Sequence, residues 1–98
     1  MRDTVYTRDQ MRELRIMTQD YAINVEEGSF SARLDLKAEG HSGTLRLFFT
    51  FDDGRKIISP VYWWNRYLGF YELPVGSRVL LTYTRSSQGV FLTGAELI

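Results

Sequence analysis

From Tyr21 onward, polar and apolar side chains alternate with a period of two. In "SFSARLDLKAEG", Phe30, Ala32, Leu34 and Leu36 alternate with Ser31, Arg33, Asp35 and Lys37, the pattern of a strand with one wet face. In "GTLRLFFTFDDG", Leu45, Leu47, Phe49 and Phe51 share one face, and Arg46, Phe48 and Thr50 share the other. "GSRVLLTYTRSS" groups Val79, Leu81 and Tyr83, "GVFLTGAELI" supplies a last short strand, and Tyr21–Ile23–Val25 reads as a shorter one ahead of them all.

Turn chemistry joins these runs. Asp53-Gly54 between "LFFTFD" and "RKIISPV" supplies the positive φ that a tight two-residue hairpin needs. "EGHSG" and "SSQG" place glycine in longer hairpin loops, and "LPVGS" restarts the chain into the following strand.

Two segments have helical spacing. Thr7 through Met17 opens with Thr7 and Gln10, the ends of a capping box, and carries Met11 and Leu14; its later half, "ELRIM", reads equally as strand. After Pro60, Trp63, Tyr67 and Phe70 recur at i, i+4 and i+7, and Trp64, Leu68 and Tyr71 repeat the pattern one step round. That spacing predicts a short helix whose rings plug one end of a core.

Three strands, a helix and two strands make the element order of an OB-like barrel. The chain from about residue 29 to 98 resembles that fold, with no family motif. The expectation is a mainly β, five- to six-stranded antiparallel barrel with one short helix between its third and fourth strands. Residues 1–20 form a helical or extended N-terminal segment and residues 21–98 the barrel, all in a single domain. An SH3-like barrel or a small β-sandwich fits the same strands.

Composition narrows function by exclusion. Twelve basic and twelve acidic residues give zero formal charge, which disfavours single-stranded nucleic acid, since phosphate neutralisation drives that affinity. The absence of cysteine removes disulfides, thiolate nucleophiles and Cys-based zinc sites, and favours a reducing, cytoplasmic setting. The N-terminus lacks an apolar signal core and no apolar run approaches a membrane span.

Candidate chemistry is sparse. His41 is the lone histidine and sits in the loop "EGHSG"; Asp52-Asp53 and Glu26-Glu27 abut glycine turns, where local hydrogen bonding accounts for them. No phosphate loop, nucleophile elbow or metal motif occurs, so the expectation is a protein that is not an enzyme and holds no cofactor or metal. The reading that remains is a binding module for another protein or a second copy. Its surface centres on Trp64, Arg66 and Tyr71, rings with polar tips beside a planar cation. The alternative is a weak single-stranded nucleic-acid face of Arg46, Phe48 and Lys56, a ring for stacking between cations. That face requires a wet Phe48, and "FF" at the strand centre favours a ring covered by the N-terminal segment.

Overall fold

A computed structural model describes residues 4–14, 18–23, 25–40, 44–61 and 72–98. Thr7 starts α1 (Arg8–Glu13) with the expected capping box: its hydroxyl accepts from the Gln10 N–H at 3.1 Å, and its own N–H donates to Gln10 Oε1 at 2.8 Å. The helix stops at Leu14, whose N–H donates to the Gln10 carbonyl. Six residues cannot hold a helix in water alone, so α1 depends on what Met11 and Leu14 pack against.

Six strands among the described residues form one sheet: β1 (Val5–Tyr6), β2 (Gly28–Glu39), β3 (Leu45–Phe51), β4 (Lys56–Val61), β5 (Arg78–Ser86) and β6 (Gly89–Leu97). The order is β4-β3-β2-β5-β6, antiparallel throughout, with β1 added parallel to β2 at Lys37 and Ala38. The twelve-residue β2 organises the sheet. It pairs with β5 through Arg33 and with β3 from Ala32 to Glu39. β4 and β6, the two ends of the path, are neighbours but share no ladder among the described residues.

The alternation in β3 is as the pattern predicts: Leu45, Leu47, Phe49 and Phe51 are all buried, and they meet Val79, Leu81 and Tyr83 of β5. In β2 it holds only as far as Leu34. Leu34 pairs with Phe49 and Leu36 with Phe48, so Asp35 is an extra residue and a bulge reverses the phase. Leu36 then packs on Phe48, on the opposite side from Leu34, and Lys37 is buried across from Leu47. Lys37, expected on the wet face, is 3% exposed.

The Asp53-Gly54 turn is present with a different loop length. Gly54 has φ +94°, its N–H donates to the Phe51 carbonyl, and the Phe51 N–H donates to the Arg55 carbonyl at 2.7 Å. Three residues therefore turn the chain rather than two, with glycine in the left-handed position. The Tyr21–Ile23–Val25 strand is reduced to one parallel bridge, Ala22 with Ile57. The helix expected after Pro60 and residues 15–17 of the N-terminal helix lie outside the described residues. No helix among the described residues is long and apolar enough to cross a membrane.

Candidate functional site

Two polar side chains meet on the sheet's inner face. Ser59 of β4 lies opposite Leu47, so it faces inward, and its hydroxyl meets the Tyr83 hydroxyl of β5 at 2.5 Å. Both residues are 3% exposed. Burial pushes the Tyr83 phenol up to about 12; the Ser59 bond and the charge of Arg55 oppose this only in part. The pair is satisfied and neutral at ordinary pH.

Over this pair lies a cleft of about 320 Å³. Its walls come from Ile58 and Pro60 of β4, from Val90, Phe91 and Leu92 of β6, and from Ile23 and Val25 of the segment leading into β2. Ile23 is held at the rim because the Ala22 N–H donates to the Lys56 carbonyl and the Ala22 carbonyl accepts from Ile58, each at 2.9 Å. It is 65% exposed, unusually open for a side chain so large and apolar. Gln88 lines the cleft as well, with Ser59 and Tyr83, so polar and apolar surface are nearly balanced in it; concave sites that join apolar walls to polar groups commonly bind ligands.

Two cation-over-ring arrangements flank the sheet. At the β3–β4 hairpin, Phe30 stacks on Phe51 with centroids 5.2 Å apart, and Tyr83 meets Phe30 edge-on at 6.0 Å. The Arg55 guanidinium covers both phenyl rings, 5.1 Å from Phe30 and 5.2 Å from Phe51. Glu26 and Asp53 hold it at 2.7 and 2.8 Å. The Arg55 backbone N–H, ahead of its guanidinium, lowers the Asp53 carboxyl below the usual range.

The second arrangement lies on the outer face of β3. Phe48 is 1% exposed, beneath Met11, Leu14, Tyr6 and Tyr21. Tyr21 meets it edge-on at 5.2 Å, and the Lys56 ammonium lies 5.5 Å from the Tyr21 ring. The Tyr21 hydroxyl donates to Asp35 Oδ2 at 2.6 Å, the Thr50 hydroxyl donates to the same oxygen at 2.5 Å, and Arg33 Nε reaches Oδ1 at 2.9 Å. Burial, then the bond to Asp35, pushes Tyr21 up to about 12. Arg46 donates twice to the Glu39 carbonyl, with its guanidinium carbon 5.9 Å from the Phe48 ring.

The sequence candidates fare unequally. Trp64, Arg66 and Tyr71, and His41 as well, lie outside the described residues. Arg46, Phe48 and Lys56 share one face, as the alternation requires, but Phe48 is not the wet ring that the nucleic-acid alternative needs. The covered reading is the one observed. Tyr21, Asp35, Arg55, Ser59 and Tyr83 carried no motif; their side-chain hydrogen-bond partners, Arg33 and Asp53 apart, lie 14 to 29 residues away, and only the fold brings them together. Among the described residues no three His, Cys, Asp or Glu side chains gather as metal ligands. No family model matches this chain, and neither does any curated protein or solved structure.

Proposed function

We propose that this chain is a non-catalytic binding module on an OB-like barrel, and that the cleft between β4 and β6 takes an apolar side chain of a partner protein. The fold part rests on the strand order and on the long β2, bent at Asp35, which is shared between β3 and β5. β4 and β6 would be the seam where such a barrel closes. The lack of cysteine supports a reducing compartment, the cytoplasm.

The observation that carries the binding reading is the cleft itself, with Ile23 wet at its rim and apolar side chains along its walls. Filling such a recess with one desolvated anchor is how protein interfaces concentrate their affinity. The non-catalytic part rests on the floor: a buried phenol pushed up to about 12 is no base at neutral pH and does not activate Ser59.

Peptides selected by display on the immobilised protein test this, with affinity measured by calorimetry for wild type and Ile23→Asp. Ile23 is exposed, so the substitution leaves the core intact. Selected peptides share an apolar anchor and lose affinity by about tenfold in the variant. A second copy as occupant shows as a dimer by sedimentation that Ile23→Asp dissolves. Peptides that bind both proteins equally, or no ligand and no dimer, overturn the reading.

A further inference from the structure

Two strand edges border the cleft between β4 and β6, and they differ. On β4 the Ala22 N–H donates to the Lys56 carbonyl and the Ile58 N–H donates to the Ala22 carbonyl, so Lys56 and Ile58 turn their backbone groups away from β3. The next outward position is Pro60, opposite Arg46, which has no N–H to give. A bridge and a proline thus close this edge to a further strand, a common guard on exposed edges.

The β6 edge has no such guard at Val90. Ser86 and Gly89 flank the two-residue loop of the β5–β6 hairpin, so that pair and Thr84–Phe91 exchange ladder bonds, and Arg85–Val90 between them does not. The Arg85 N–H agrees with this phase: it donates to Glu27 at 3.1 Å, away from β6. Val90 accordingly points its own N–H and carbonyl away from β5, into the cleft that it lines. No strand among the described residues pairs with β6 on that side. The Val90 side chain is uncharged and packs against the core at the cleft wall.

We propose, on the basis of the cleft reading above, that the occupant is an extended segment of the partner protein that joins the sheet at Val90. One of its carbonyls accepts from the Val90 N–H, one of its N–H groups donates to the Val90 carbonyl, and the apolar side chain beside them enters the cleft. Backbone bonds to a sheet edge give such complexes their affinity, and the pocket gives them selectivity. The chain makes a contact of the same kind with itself on β4: Ala22 bonds the edge through its backbone, and its neighbour Ile23 lies at the cleft rim. A helix offers Val90 nothing equivalent, because its backbone groups are bonded to one another.

The test takes a peptide with an apolar anchor that binds wild type and is weakened by Ile23→Asp, which places it in the cleft. Its backbone nitrogens are methylated one at a time over the anchor and its two neighbours, removing a donor while every side chain stays. One of these methylations weakens binding by about tenfold in calorimetry. Amide exchange at Val90 slows by about tenfold in the complex, and Gly89, already bonded to β5, changes little. Val90→Pro removes the outward N–H and no ladder bond to β5, and it weakens the peptide by about tenfold. Thermal unfolding shows whether that variant folds; if it does not, the methylated peptides and the exchange decide. Unchanged exchange at Val90, or indifference to every methylation, overturns strand addition, and a peptide bound as a helix gives this result. The cleft reading then still stands on the loss in Ile23→Asp. If no peptide depends on Ile23, both fall.

Discussion

The Phe30–Phe51–Arg55 plug and the Phe48–Tyr21–Lys56 stack are built from the same parts, two rings and a cation, yet they are secured differently. At the plug, both rings belong to long strands, and the cation is gripped by Glu26 and Asp53. Nearby, Arg78 reaches Asp52, and the Arg85 N–H donates to Glu27 at 3.1 Å. At the stack, one ring belongs to a strand and the other to a segment with a two-residue ladder. No described acid bonds Lys56. The first ring site is fixed by strands from several sides; the second is completed by residues of the N-terminal segment.

Adjacent phenylalanines break that comparison most sharply. Phe49 faces the strand-built core and Phe48 the N-terminal residues, and both are at most 1% exposed. Phe49→Ala lowers the stability measured by urea unfolding by about 3–5 kcal/mol, because rigid strands cannot collapse into the void. Phe48→Ala loses less, about 3 kcal/mol, as the N-terminal residues settle inward, and it raises exchange in residues 5–14 alone.

Alkaline titration separates the two tyrosines. Tyr83 has its pKa raised to about 12 in the folded protein, so the stability it contributes is whole below the unfolded value near 10 and is lost as pH rises toward 12. Unfolding followed across that window loses about 2–3 kcal/mol less in Tyr83→Phe than in wild type. The same variant is weaker by about 1 kcal/mol at neutral pH, since the Ser59 hydroxyl loses its partner. Tyr21→Phe alters the alkaline loss less, because Tyr21 is only partly buried.

Smaller effects come from the hairpin at the plug. Gly54→Ala forces a side chain into φ +94° with open space around it, so strain alone acts, and the variant loses about 1 kcal/mol in thermal unfolding. Asp53→Asn has the smallest effect and a definite sign. The depressed carboxyl of Asp53 contributes above its unfolded pKa and is lost in acid, so wild type weakens more steeply than the variant below about pH 4.

Several local devices among the described residues can be read from the order of the side chains. Thr7 and Gln10 cap a helix because the bonds close within four residues. Leu45 to Phe51 alternate because a strand shows its two faces in turn, and Gly54 turns the chain because it lacks a Cβ. What depends on register was not legible. One extra residue at Asp35 moved Leu36 off the inner face and buried Lys37. A three-residue loop took the place of a two-residue one, since Asp-Gly satisfies either. The cleft, the Arg55 guanidinium over its two rings and the Tyr21 contacts with Phe48 and Asp35 join residues distant in the chain. Such contacts are set by how strands pair and coil, a balance of burial over the whole sheet that no short window of residues contains.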